Sequence, residues 1–274
     1  MKPFFKRSIT GIIFVIAVVF STWLHPLTFL FLISLLFVIG IIEFFRLFNS
    51  SKVQPQLILS ILAGQSIIIG NYLFIEDFIS SQFFFAFLLL PFLVFFAELF
   101  RSKELFTLNI TASFTGIVYL SLPLSLLMYL GYQTGTGRSY DPELILGFFI
   151  LLWLYDTGAY IVGSLAGRHI MLEKISPGKS WEGFFGGWII STGTAYLLSI
   201  FFPVLSPMQW IIMATIIVIS GTLGDMVESG MKRMAGVKDS GNLLPGHGGV
   251  LDRIDSVLLS VPFVYIYLKI IEIL

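Results

Sequence analysis

The sequence predicts an all-α integral membrane protein of about nine transmembrane helices, N-terminus cytoplasmic and C-terminus outside. Three observations carry that expectation. Of 274 residues, 57% are hydrophobic and 12% charged, with a mean hydropathy of +0.94; a soluble domain carries about 25% charged residues. The apolar runs each approach the roughly 20 residues that one helical span requires. Of the 16 lysines and arginines, all but Arg138 and Lys269 fall on one side of the resulting topology, the side that positive charge marks as cytoplasmic.

The spans lie at roughly 8–24, 27–48, 56–74, 83–100, 107–130, 144–165, 181–203, 208–230 and 250–274. The first follows Lys2, Lys6 and Arg7 and is followed by no small-residue cleavage site, so it is read as a retained helix rather than a signal peptide. The second and fourth end in Glu43-x-x-Arg46 and Glu98-x-x-Arg101, most simply ion pairs reaching to the interface. The third is interrupted by Gln56, Gln65, Ser66 and Asn71. The sixth carries Asp156 well inside it, with Gly163 and Gly167 at the spacing that lets another helix approach closely. Runs of this length without period-two alternation exclude a closed barrel.

Composition excludes several classes. Cysteine is absent, which removes disulfide scaffolds, thiolate metal sites and cysteine nucleophiles. The formal charge is zero and no long basic run suggests nucleic acid. Residues 1–105 form an N-terminal set of four spans, a scaffold or a dimer- or lipid-facing part. Residues 106–274 hold five spans, the cytoplasmic loops 166–180 and 231–249, and the candidate chemistry.

A carboxylate within a span costs at least ~2.5–3.5 kcal/mol and usually faces a cavity or a partner, so Asp156 is either a site residue or a structural hydrogen-bond partner. Ser176-Pro-Gly178-Lys179-Ser180 superficially suggests a phosphate-binding P-loop. That pattern needs glycine where Glu173 stands, and no buried strand precedes it. What remains is Lys179 beside a helix N-terminus, where an anion is favoured.

Asp225, Glu228, Ser229 and Lys232 line one face of the eighth helix, and Asp252 and Asp255 share a face of the ninth. Lys238, Asp239, Pro245, His247, Gly248 and Gly249 lie between. Carboxylates at two helix ends suit a hard divalent cation such as Mg²⁺, which takes one or two carboxylates together with phosphates and waters. Lys232, Arg233, Lys238 and Arg253 would neutralise phosphates. The glycines would let backbone approach a ligand. The bland alternative is a positive-inside loop whose acids pair with its bases. His247 has no His or Cys neighbour, which argues against zinc.

The segment from Ser229 to Asp255, Ser-Gly-Met-Lys-Arg-Met-Ala-Gly-Val-Lys-Asp-Ser-Gly-Asn-Leu-Leu-Pro-Gly-His-Gly-Gly-Val-Leu-Asp-Arg-Ile-Asp, resembles the signature of the phosphatidate cytidylyltransferases, or CDP-diacylglycerol synthases. Gly224-Asp225-x-x-Glu228-Ser229 and the block from Asp156-Thr-Gly-Ala-Tyr160 to Trp181-Glu182-Gly183 are similar to that family too; Gly178 and Ser180 replace its common lysine and threonine. The resemblance covers roughly 153–256, with Glu43 in a plausible family position.

It implies a multi-pass enzyme of the inner membrane that transfers CMP from CTP to phosphatidic acid on the cytoplasmic side, giving CDP-diacylglycerol and pyrophosphate, with Mg²⁺ and a possible neighbouring monovalent cation such as K⁺, as a homodimer among membrane lipids. On that expectation Asp225, Asp252 and Asp255 hold metal. Lys179, Lys232, Arg233, Lys238, Asp239 and Arg253 act with Asp225 and Asp252 in catalysis, and Asp156, Ser176, Lys179, Ser229, His247, Gly248 and Gly249 bind substrate. The alternatives are a CTP-dependent lipid kinase, which would transfer a γ-phosphoryl group to a hydroxyl, and a transporter. A transporter predicts inverted repeats and acids in both halves; here the acids cluster in one.

Overall fold

The computed structural model describes residues 3–49, 51–101, 104–133, 139–241 and 248–274, with side chains from residue 10 onward. Among them the chain forms nine helical segments. They are α1 (Pro3–Leu24), α2 (Pro26–Arg46), α3 (Leu57–Ile75), a broken segment of α4 (Ser81–Leu89) and α5 (Leu93–Arg101), α6 (Phe106–Tyr129), α7 (Glu143–Ala166), α8 (Trp181–Phe201), α9 (Pro207–Met234) and α10 (Leu251–Ile270). Each coincides with an expected span. Between α4 and α5 the chain tightens into a 3-10 turn at Leu90–Phe92, where Pro91 has no N–H to continue the helical ladder.

Seven of these segments, from α2 to α9, are long and apolar enough to cross a membrane. Large apolar side chains such as Phe100, Leu165 and Ile58 are outward-facing; in a bilayer such faces are solvated by lipid. α10 carries Asp252, Arg253, Asp255 and Lys269 on an otherwise apolar helix.

The chain divides into two compact units. The first comprises Met1–Tyr129 and Met234–Ile254. Its core is built on α2, where Phe29, Ile33, Phe37, Ile41 and Phe44 are fully buried at the spacing of one helical face. Their rings need small partners. Phe37 lies over Gly64 of α3, and Phe44 and Phe45 over Gly116 of α6, so a Cβ at either glycine would enter a ring. The polar residues that interrupt α3 are spent on neighbours: Gln65 Nε2 donates to Ser34 O (2.9 Å) and Asn71 Nδ2 to Ser125 O (2.9 Å). Glu98, buried in α5, accepts from Arg101 Nη1 (2.7 Å), Gln56 Nε2 (2.6 Å) and Asn109 Nδ2 (2.8 Å). The expected Glu98–Arg101 pair is therefore present, within a buried network.

The second unit comprises Leu130–Arg233 and Asp255–Leu274. α7 and α8 pack along small residues: a Cβ at Gly187 would lie 2.8 Å from Tyr155 O, and one at Gly183 2.7 Å from Ala159 O and 3.2 Å from Gly163 Cα. Backbones in such contact gain dispersion that larger residues would block. Gly147 of α7 makes room for the buried Trp210 of α9. Between α7 and α8 a short antiparallel hairpin, β1 (Ile170–Leu172) and β2 (Ser176–Ser180), pairs Ile170 with Ser180 and Leu172 with Ser176. It lies within the expected loop 166–180. It leads straight into α8, whose first turn is capped by Ser180 Oγ accepting from Gly183 N (3.1 Å).

Candidate active site

The candidate residues of the second unit converge on the last turns of α9. Lys179, at the end of β2, places Nζ 2.6 Å from Asp225 Oδ2. The hairpin makes this possible because it returns the chain to the start of α8 with Lys179 next to the helix cap. One helical turn past Asp225, Ser229 Oγ donates to Asp225 Oδ1 (3.1 Å). Lys232 pairs with Glu228 on the same face, and both are buried. These i, i+4 contacts realise the face read from the sequence.

Asp255, buried near the start of α10, feels the carboxylates of Asp225, Glu228 and Asp156. Close packing brings the start of α10 against α9. A Cβ at Gly224 would lie 2.6 Å from Asp255 O, and Gly221 faces Ser256. Beneath the acids Tyr155 Oη and Thr222 Oγ1 are 2.5 Å apart, both buried, tying α7 to α9. Asp156 is exposed, Ser176 is half-buried at the start of β2, and Arg233 is exposed at the end of the unit.

The remaining candidates belong to the first unit. Asp252 accepts at Oδ2 from Gly249 N (2.7 Å), Ser240 Oγ (3.0 Å) and Ser240 N (3.1 Å). It thereby ties the segment after α9 to the start of α10. Gly248 has φ +84°, a left-handed conformation that favours glycine, and a side chain there would press on the Asp252 carboxylate. Lys238, Asp239 and Arg253 are exposed, and Gly249 is buried. His247 and Pro245 lie outside the described residues.

Two features escaped the sequence reading. Glu43, expected to pair with Arg46, is only 2% exposed and accepts instead from Leu251 N (2.8 Å) and Ser240 Oγ (3.3 Å). Glu182, in the first turn of α8, accepts from Arg168 N (3.1 Å) and His169 N (3.2 Å) and lies 2.5 Å from His169 Nδ1. It thus fastens the hairpin's leading strand to the helix. Glu43 had only its family position as a signal. Glu182 sat inside the recognised block without a role.

The donor set suits a hard cation. Asp156, Asp225, Glu228 and Asp255 offer carboxylate oxygens, with no sulfur or imidazole among them. Among the described residues no group of three or more His, Cys, Asp or Glu closes on one point as a self-sufficient metal cage.

Known proteins are similar to this chain. Phosphatidate cytidylyltransferases of Staphylococcus epidermidis are 48% identical over 139 residues, covering 50% of this chain and 52% of the relative. That of Staphylococcus saprophyticus is 48% identical over 143 residues, 52% of this chain and 53% of the relative. That of Staphylococcus aureus is 45% identical over 139 residues, with 50% and 52% covered. The chain spans about half the length of the curated relatives it matches. The sequence profile of the cytidylyltransferase family matches residues 5–271, nearly the whole chain, and the chain belongs to that family.

Proposed function

We propose that the protein is a phosphatidate cytidylyltransferase, which transfers CMP from CTP to phosphatidic acid and releases pyrophosphate. The observation that carries this reading is the cation–carboxylate pair of Lys179 and Asp225, 2.6 Å apart beside the acids of α9 and α10. It offers both a phosphate contact and metal-binding oxygens. Named relatives of the same activity support it.

In the step proposed, an ionised phosphate oxygen of the lipid attacks the α-phosphorus of CTP. A new P–O bond forms as the bond between the α-phosphorus and the bridging oxygen breaks, and the electron pair leaves with pyrophosphate. The nucleophile is already an anion, so no side chain need remove a proton; catalysis is positioning and charge neutralisation. Lys179 at the N-terminus of α8 contacts a phosphate, with the helix amides reinforcing it. Lys232 and Arg233 add positive charge at the end of α9. Asp225 and Asp255 would hold Mg²⁺, which supplies charge neutralisation to the phosphates and to the leaving group. Asp252 shapes the loop that carries Asp239, Gly248 and Gly249. The lysine and arginine asymmetry supports a cytoplasmic site, reached by CTP from water and by the lipid from the inner leaflet.

The test uses detergent-purified protein, phosphatidic acid, Mg²⁺ and CTP labelled in the cytidine. Label is expected in the lipid phase, abolished by EDTA and restored by excess Mg²⁺. A folded protein that moves no cytidine label overturns the reading. Transfer of γ-label to a lipid alcohol would instead identify a kinase.

A further inference from the structure

We propose that Glu43 of α2 is a positioning residue for the proposed reaction, clamping the glycine-bearing loop from the N-terminal half of the chain. The clamp rests on the cytidylyltransferase reading only for its effect on catalysis; its geometry stands within the first unit. Glu43 reaches partners 197 and 208 positions further along the chain, Ser240 Oγ and Leu251 N. These two residues bracket the loop, so one side chain fastens both ends of it.

The chemistry of each contact is specific. Leu251 is the first residue of α10, and its N–H is among the donors that a helix start leaves without an intrahelical acceptor. A carboxylate there also meets the positive end of the helix dipole. Glu43 thus caps α10 from another helix, while Asp252 takes Gly249 N and Ser240 N. Ser240 Oγ stands between the two acids, 3.0 Å from Asp252 and 3.3 Å from Glu43. Glycine is needed around the clamp. A Cβ at Gly241 would fall on Glu43 Oε1, and one at Gly249 on Glu43 Oε2 and Ser240 Oγ. The backbone at Gly241 and Gly249 is therefore drawn directly onto the carboxylate.

Both hydrogen bonds end on Oε2, and Oε1 is buried with no hydrogen-bond partner. An amide oxygen could accept the same two donors. Glu43→Gln therefore keeps the clamp, whereas Glu43→Ala uncaps Leu251 N and leaves Ser240 held by Asp252 alone.

The experiment compares full-length wild type, Glu43→Ala and Glu43→Gln in detergent by amide hydrogen exchange, melting temperature and cytidylyl transfer per folded molecule. In Glu43→Ala the amide of Leu251, which loses its carboxylate acceptor, should exchange about ten- to a hundredfold faster, the range that loss of a hydrogen bond to a charged acceptor allows. The kcat should fall by about tenfold or more with a smaller change in KM. Glu43→Gln should restore the protection and most of kcat. If Glu43→Ala does not fold, Glu43→Asp, one methylene too short to hold both ends, takes its place with the same expectation. Unchanged exchange and kcat in the truncated variant overturn the proposal, as does a Glu43→Gln protein that keeps the protection and loses activity. A merely structural role would lower the melting temperature and leave kcat per folded molecule unchanged, which also overturns it. If the wild type transfers no cytidine, the functional reading fails, and the exchange data alone still decide the clamp.

Discussion

Replacing Lys179 with methionine separates a catalytic role from a structural one, because the two predict effects of different size. The Lys179 and Asp225 side chains are 26% and 32% exposed and 2.6 Å apart. Water screens much of that attraction, and pairs of this kind contribute about 0.2–1 kcal/mol to stability. In a chain of this length that shifts the melting temperature by no more than about 2–4 °C. If the ammonium neutralises a phosphate during transfer, its loss removes one preorganised electrostatic partner, worth ~10²–10³ in kcat. Methionine keeps most of the apolar stem, so the two effects separate cleanly. The assay is transfer of cytidine label into phosphatidic acid, normalised to folded protein by size exclusion and by the melting curve. Lys179→Arg should fall between wild type and Lys179→Met, since a planar fork does not reproduce a compact ammonium. A Lys179→Met enzyme within about threefold of wild type in kcat/KM would refute the assignment, because no phosphate-neutralising cation is removed so cheaply.

Three further outcomes follow from the packing. Gly187→Ala should destabilise by about 1–3 kcal/mol, since its Cβ would meet both the Tyr155 ring and the Tyr155 carbonyl; thermal unfolding in detergent measures it. Gly248→Ala should cost roughly 1 kcal/mol for the left-handed backbone and displace the Asp252 carboxylate, so transfer activity should drop more than stability. Glu98→Ala removes the acceptor shared by Gln56, Asn109 and Arg101, each of which keeps a backbone carbonyl, and should lower stability by about 1–3 kcal/mol; a melting curve matching wild type would show the network to be dispensable.

The spans were legible because hydropathy is a local property, summed over a window the length of a helix. Even the weakest, α3, falls where expected, its Gln65 and Asn71 directing their amide N–H groups onto backbone carbonyls of α2 and α6. The face of Asp225, Glu228, Ser229 and Lys232 was equally legible, because i, i+4 geometry needs no knowledge of any other segment. The hairpin at Ile170–Ser180 was not. Its strands are three and five residues long, contain Pro177 and Gly178, and lack the alternation that marks a strand. Glu43 shows the deeper limit. Its nearest opposite charge in the sequence is Arg46, one turn away, whereas its actual partners lie across most of the chain and include a backbone N–H that no sequence pattern reveals.

That separation sets a timetable for biosynthesis. At about 5–20 residues per second, the 208 positions between Glu43 and Leu251 take roughly 10–40 s to emerge. Throughout that interval α2 is already made and its carboxylate lacks Leu251, and for the first 197 positions of it lacks Ser240 as well. The nascent helix must keep Glu43 at the water boundary, or hold it with a provisional partner, until the ninth segment arrives. A ribosome stalled before residue 251 would thus leave an N-terminal half that is inserted but not finished, and a natural substrate for membrane quality control.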